Sequence, residues 1–336
     1  MADASILLPQ ETVRRPPPVG VTPAEERLFE HEYERVLAEA VSWDIEDVTA
    51  LPNGALMSGA RLLPEGFSSA PRGLRAARLR LRAAQYLAFT AEIDLDQAVW
   101  ITDEYSNGFF HWVGDVLPRL EALAAQGGGS GTLLVPAMAD LGYVLPSLEP
   151  YGLPAVRVFS WRERVRCGRL QVAGAAAPTG NFRPRLMQAL RDRMRSHYGV
   201  GRDSLRVYLS RADAPGRRVA NEPEIRPVLE RFGFCCVQSE KLSFPEQVRL
   251  IGSASVLASN HGAGLTHLCW MRPGTTVLEL RRRDDRIDNC YFSLAGALGI
   301  QYRYLLCSVT NEKQPTHVAD VVVDPAALAA KLSELG

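Results

Sequence analysis

No stretch of this 336-residue chain stays apolar long enough to cross a bilayer as a helix, because Gly, Pro or charge breaks every apolar run. The opening residues, MADASILLPQETVRRPPP, lack a basic start followed by an apolar core. A secretion leader is therefore not expected, the expected location is cytoplasmic, and peripheral contact is the one membrane association left open. An excess of either charge is also missing. The 38 Lys and Arg residues balance 38 Asp and Glu residues, which argues against nucleic acid or another polyanion as the main partner. Cysteines in CxxC spacing are absent as well. Cys167, Cys235, Cys236, Cys269, Cys290 and Cys307 stand mostly in apolar surroundings and read as buried free thiols rather than metal ligands. No zinc or EF-hand signature occurs, and Asp284-Asp285 is not a DxD triplet, so neither a metal nor a cofactor is expected. Repeats of the solenoid kind are missing too.

What remains is the pattern of an ordinary globular enzyme. At this length a single core stops growing, so two domains are expected. Residues 1–22 are proline-rich and read as poorly ordered, and Pro23 to Ala40 has the spacing of a helix. Val48 to Leu87 reads as a β-rich elaboration with turn signals such as Pro52-Asn53-Gly54. Strands then alternate with helices: a strand at Ala98–Ile101, a helix from Phe109 to Ala125, strands at Thr132–Val135 and Val156–Phe159. The Ala/Gly-rich stretch from Gly174 to Pro184 reads as a linker, followed by a long amphipathic helix from Arg183 to Tyr198. Beyond it, strands are expected near Leu205, Cys235, Val256, Val277 and Tyr302, and a last helix at Ala326–Leu335. Such alternation implies βαβ units and parallel sheets. The expected division is 23–180 and 181–336, with the last helix packing back on the first domain and an active cleft between the two.

Two segments of the second half carry polar residues at strand ends. Val256-Leu257-Ala258 runs into Asn260-His261-Gly262-Ala263-Gly264, and a helix is expected from Leu265. Open α/β sheets bind ligands at the carboxyl ends of their strands, and free N–H groups at a helix start favour an anion. A tight βα turn alone would also use these glycines. Val207-Tyr208-Leu209 ends in Ser210-Arg211, and a loop with Arg217, Arg218, Asn221 and Glu222 follows. Arginines at strand ends suit bidentate phosphate contacts, although a lone pair more often faces solvent. In the first half, His111 and Asp115 are four residues apart on one expected helix and so share a face. A carboxylate-oriented histidine suits a general base; a capping or hydrogen-bonding pair is the alternative.

Together, SR-x-RR-x-NE (Ser210, Arg211, Arg217, Arg218, Asn221, Glu222), the Glu246-Gln247 pair within SFPEQVRLIGSASVLASNHGAGLTHLCWMRPGTTVLEL, and NGFFHWVGDVLPRL upstream resemble glycosyltransferase family 61. The resemblance runs from about Val99 to Leu280 and is strongest in the second half. It implies a GT-B-like fold of two facing Rossmann-like domains. It also implies an inverting sugar transfer from a nucleotide sugar, UDP-linked, to a glycan or other hydroxyl acceptor, as in bacterial polysaccharide biosynthesis. On that reading Arg211 and one of Arg217 and Arg218 hold the diphosphate, with backbone N–H groups from Gly262 through Ala263 and Gly264 to Leu265. His261 donates to a phosphate or sugar hydroxyl beside Asn260, and Glu279 accepts from ribose hydroxyls or pairs with Arg281 or Arg283. Asn221 and Glu222 hold the arginines in place, and His111 with Asp115 supplies the base. Asp103, Glu104 and His267 are the reserve candidates for that role. A nucleotide-sugar epimerase and a non-catalytic nucleotide-sugar-binding protein are the competing readings.

Overall fold

The computed structural model describes residues 3–69, 72–129, 131–137, 141–201, 204–315 and 318–335. The chain divides into two compact units, one of Met1–Glu11 with Val36–Thr179, the other of Thr12–Arg35 with Gly180–Gly336. The second unit thus takes in an early segment as well as the C-terminal half.

The first residues are not loose, contrary to their proline content; Met1 and Ala2 lie outside the described residues. β1 (Asp3–Leu8) pairs with a long strand of the first unit, and β2 (Glu11–Arg14) follows. The helix expected at 23–40 is absent. Two single 3₁₀ turns, Glu26–Leu28 and Glu30–Glu32, and strand β3 (Glu34–Leu37) stand in its place. The reason is anchoring. Phe29 is fully buried against Phe292, Tyr302 and Tyr304, at ring-centroid distances of 5.4, 5.9 and 4.9 Å, and adjacent buried residues (Leu28, Phe29) do not fit a helical stripe.

The first unit is built on β4 (Ala40–Ala50), β5 (Leu56–Ser58), β6 (Arg61–Leu62), helix α1 (Gly73–Phe89) and β7 (Ala91–Trp100). Then come α2 (Phe109–His111), a π-helical turn at Trp112–Val116, α3 (Leu117–Ala125), β8 (Thr132–Val135), α4 (Leu141–Leu148), β9 (Val156–Val158) and β10 (Glu163–Ala173). The sheet order is β6-β5-β4-β10-β7-β8-β9, with β1 also on β4. It is mixed rather than wholly parallel: β10, β7, β8 and β9 run parallel, whereas β1, β4, β5 and β6 add antiparallel pairs. Its core is Trp100, Leu134, Phe159, Val165, Leu170 and neighbours. The β-rich reading of 48–87 missed α1. Ala, Leu and Arg favour a helix there, and Leu79, Ala83, Tyr86 and Leu87 put one stripe against Leu51, Ala55, Met57 and Leu62.

The second unit carries α5 (Pro184–His197), β11 (Leu205–Leu209), α6 (Glu222–Arg231), β12 (Phe234–Val237), α7 (Phe244–Gly252) and β13 (Ala254–Asn260). A 3₁₀ stretch (Ala263–Trp270), β14 (Thr276–Arg282), α8 (Cys290–Leu298), β15 (Gln301–Val309), β16 (Val321–Val322) and α9 (Pro325–Ser333) complete it. Its sheet order is β12-β11-β13-β14-β15-β16, parallel through β15, with β16 antiparallel. α9 packs within its own unit: Leu328 and Leu332 are buried with Tyr208, Ile225, Leu229 and Leu280. An apolar stripe goes where matching apolar surface is already exposed, here beside α6.

Candidate active site

The order of the second sheet fixes where a ligand can enter. From β11 the chain steps outward to β12, then crosses back to β13 on the other side of β11. Crossover helices therefore lie on opposite faces of the sheet on either side of the β11–β13 junction, and a crevice opens at the carboxyl ends of these two strands. Those ends are Ser210-Arg211 and Asn260-His261-Gly262, the polar residues marked out by sequence.

One backbone carbonyl ties them together. Arg211 Nε donates to Arg217 O at 3.2 Å, and the Asn260 side-chain amide donates to the same oxygen. Arg211 Nη2 also reaches Gly216 O at 3.4 Å. Arg217 holds this position in the left-handed region, φ 53°, unusual for a residue with a side chain. Burial and the neighbouring Arg217 charge lower the Arg211 pKa, the direction expected of two cations with no anion between them. The Arg211 guanidinium lies on Gly262: a Cβ there would come within 2.7 Å of Nη1. Asn260 is buried, and its Oδ1 has no hydrogen-bond partner among the described residues.

Helix-start donors are fewer than expected. Leu265 N–H is already bonded to Gly262 O at 2.9 Å, because the segment winds as a 3₁₀ helix. That leaves the N–H groups of Gly262, Ala263 and Gly264, which meet no acceptor among the described residues. Three more sequence candidates are placed as supports. Arg218 is tied to Asp320 through its backbone N–H (2.8 Å) and guanidinium (3.1 Å). Asn221 clamps Val323 by two hydrogen bonds, 2.8 and 3.0 Å. Glu222 is buried beneath Ser210, accepting from its hydroxyl at 2.7 Å, from Tyr208 at 3.2 Å and from Arg226 at 3.0 Å. The Glu246-Gln247 pair closes the start of α7: Glu246 completes a capping box with Ser243, and Gln247 donates to Ser239 O and Leu242 O.

His261 leaves β13 toward the same crevice, held from behind. Its Nδ1 lies 2.5 Å from Glu279 Oε1, and Tyr302 donates to Glu279 Oε2 at 2.6 Å. Arg281 donates to the Tyr302 hydroxyl and to Asn289 Oδ1, and its guanidinium stacks over Phe29 at 4.9 Å. Burial alone would raise the Glu279 carboxyl. His261, the Arg281 charge and the Tyr302 hydroxyl outweigh burial and hold it below the ordinary carboxylate value. With both oxygens taken and 1% of its surface exposed, Glu279 is placed to orient His261 rather than to receive a ribose. Tyr302 and Asn289 were not legible as members of this network. Asn289 follows a charged run and Tyr302 stands in the mixed strand β15, so neither stands out from its neighbours in sequence.

The first unit contains a second histidine–carboxylate pair. His111 Nδ1 is 2.8 Å from Asp115 Oδ2, which also accepts from Thr179 Oγ1 at 3.1 Å. A carboxylate accepts, so Nδ1 carries a hydrogen, and in the neutral form of the ring Nε2 is the nitrogen with the lone pair. The ring stacks on Tyr105 at 5.2 Å, and a Cβ on Gly108 would sit 3.4 Å from it. The pair spans a π turn. Pro118, just downstream, has no N–H for the usual bond to Gly114 O, and the helix widens there. The reserve bases are otherwise engaged. Asp103 is ion-paired with buried Arg119, and Glu104 holds Ser68 and Arg75. His267 is buried, accepts from the Trp270 indole at 3.1 Å, and is lowered by burial to about 3. Cys235, expected to be buried, is exposed, because β12 is an edge strand.

The sequence model of the family described as Glycosyltransferase 61 matches residues 109–278, half the chain, taking in both His111 and the Asn260–Gly264 turn. An EGF domain-specific O-linked N-acetylglucosamine transferase of Drosophila melanogaster is 34% identical over 115 residues, 33% of this chain and 22% of that protein. The protein of that name in Gallus gallus is 28% identical over 153 residues, 43% of this chain and 28% of that protein. A beta-1,2-xylosyltransferase of Arabidopsis thaliana is 33% identical over 95 residues, 28% of this chain and 15% of that protein. The matched region thus covers less than a third of each relative.

Proposed function

The chain belongs to glycosyltransferase family 61, and we propose that it is a glycosyltransferase that moves a sugar from a UDP-linked donor to a hydroxyl acceptor with inversion. The observation that carries this reading is the cluster at the β11–β13 junction: Arg211, Arg217, Asn260 and three unengaged N–H groups converge at a strand end. A diphosphate has the charge and the acceptor oxygens this cluster calls for. Among the described residues the Arg217 guanidinium pairs with no carboxylate, whereas Arg218 is held by Asp320. We therefore assign the diphosphate to Arg211 and Arg217.

In the proposed reaction the acceptor oxygen attacks the anomeric carbon as the bond from that carbon to the phosphate oxygen breaks. His111 Nε2 takes the acceptor proton, with Asp115 steadying the imidazolium, and UDP leaves on Arg211, Arg217 and the Gly262–Gly264 amides. His261, oriented by Glu279, donates to the donor, and Asn260 Oδ1 accepts from it. Arginines and amides take the place of a divalent cation. In keeping with this, Asp284 is bonded to Arg282, and Asp285 accepts from the N–H groups of Ile287 and Asp288. A GT-B architecture and a glycan acceptor are the finer parts of the proposal, and family membership supports them.

The test is a panel of UDP-, GDP-, dTDP- and CMP-sugars with excess chelator, read by thermal stabilisation and nucleotide release. Stabilisation by UDP and UDP-sugars, undiminished by chelator, is expected. Stabilisation by none of the panel, or its loss on chelation, would overturn the proposal.

A further inference from the structure

A different part of the molecule, helix α1 of the first unit, has a face the transfer reaction does not use. From Gly66 to Ala91 the sequence has no acidic residue but five arginines, Arg72, Arg75, Arg78, Arg80 and Arg82, in a chain whose total charge is zero. Leu79, Ala83, Tyr86 and Leu87 turn one side of α1 inward. The opposite side is apolar as well. Ala77, Leu81, Ala84 and Ala88 recur at helical spacing and are all exposed, with Leu81 at 65% and Phe89, at the helix end, at 85%. At 100° per residue, Arg78 and Arg82 flank this outer stripe on one margin and Arg80 on the other. Arg75 pairs with Glu104, while Arg78, Arg80 and Arg82 pair with no carboxylate among the described residues. Trp161, 51% exposed, stacks on Tyr86 of the same helix at 6.3 Å.

We infer that α1 docks the protein on an anionic lipid surface. The outer stripe is narrow and the guanidinium groups border it on both sides, the arrangement of a helix lying in the headgroup plane with its apolar side down. Arginine stems can cover apolar surface while their heads reach phosphate oxygens. A transmembrane role does not suit it: no described helix of the chain is long and apolar enough to cross a membrane. The charge decides the class of surface, since a zwitterionic membrane offers the three unpaired arginines no net negative charge.

The full chain should be floated with vesicles of phosphatidylcholine alone and of phosphatidylcholine with ~30 mol% phosphatidylglycerol, at low and high salt. Binding to the anionic vesicles alone, released by salt, is expected. The R78Q/R80Q/R82Q variant should partition on the order of a hundredfold less, at about fivefold per arginine. Leu81→Ser should also weaken partitioning, and both variants should keep the wild-type circular dichroism and melting temperature, since these side chains are exposed. Hydrogen exchange should slow within 73–89 when vesicles are added. Equal binding to neutral vesicles, undiminished binding of the triple variant, or protection confined elsewhere would overturn the inference. So would failure to float combined with retention on a polyglutamate or heparin matrix, which would assign this face to a soluble polyanion.

Discussion

Gly262→Ala isolates the contact on which the donor-site reading depends most. The Gly262 backbone is extended, φ 161° and ψ 169°, so alanine meets no backbone strain there. Its Cβ, however, would lie 2.7 Å from Arg211 Nη1, 2.8 Å from Cζ and 3.0 Å from Nε. Ordinary contact is about 3.5–4 Å, so the guanidinium must withdraw by roughly an ångström. It then loses its bonds to Arg217 O (3.2 Å) and Gly216 O (3.4 Å). These are long and partly exposed, so their loss should cost the fold no more than about 1 kcal/mol. A charge-assisted hydrogen bond to a diphosphate contributes about 1.5–3 kcal/mol, so UDP should bind ~10- to 150-fold more weakly. Calorimetric titration with UDP in chelator, beside a thermal melt, measures both numbers. In Gly264→Ala a Cβ meets only Leu209 Cδ1, at 3.6 Å, so Arg211 should keep both bonds there. UDP affinity unchanged in Gly262→Ala would refute the reasoning.

His111→Ala should lower kcat by about a hundredfold or more while the Kd for UDP stays put, and Asp115→Asn should lower kcat by loosening the ring; a shift in UDP affinity instead would move the pair to donor binding. Arg217→Gly should raise the unfolding free energy in urea by a net of about 0.5–1 kcal/mol, the relieved backbone strain less the entropy a glycine adds to the unfolded chain, yet weaken UDP, a split that a merely structural arginine would not produce. His267 is held near 3 by burial, below its ordinary 6.5, so the unfolded chain takes up the proton first and stability falls as pH drops from 6.5 toward 3. At pH 5 this amounts to about 2 kcal/mol, and urea titrations at pH 7 and 5 should show that much less acid loss in His267→Gln than in wild type.

The strands and helices of the second unit were legible because each apolar run has the length and boundaries of an inner parallel strand. The strand expected near Val256 is β13, Ala254–Asn260, and the helix expected at Arg183–Tyr198 is α5, Pro184–His197. Local pattern failed where a distant partner decides the conformation. Phe29 draws residues 26–32 into single turns because its pocket is made by Phe292, Tyr302 and Tyr304, about 270 residues away in sequence. β1 is ordered by β4 rather than by anything in its own composition. Helix α1 was hidden for another reason. It has apolar residues on two opposite faces, and two stripes blur the 3.6-residue period that reveals one.

The same distinction separates the residues of the candidate site. Arg211, Arg217, Arg218, Asn221 and Glu222 look equivalent as polar residues following a strand, but their partners give them different tasks. Asp320 and Val323, from the segment around β16, take Arg218 and Asn221, while Ser210, Tyr208 and Arg226 occupy Glu222. Arg211 and Arg217 are left without a carboxylate partner among the described residues, and the turn at Arg217 joins them. Its left-handed backbone turns one carbonyl to accept from both Arg211 and Asn260, so residues from two strand ends are set before any ligand arrives. A relaxed loop would have to order these groups on binding, at about 0.5–1.5 kcal/mol for each flexible side chain immobilised. Strain of about 1–3 kcal/mol at one residue is comparable to that saving, and it is sustained in the folded state by the Arg218–Asp320 and Asn221–Val323 clamps on the following residues. On the proposed donor-site reading, Arg218 and Asn221 are thus what keeps Arg211 and Arg217 in place.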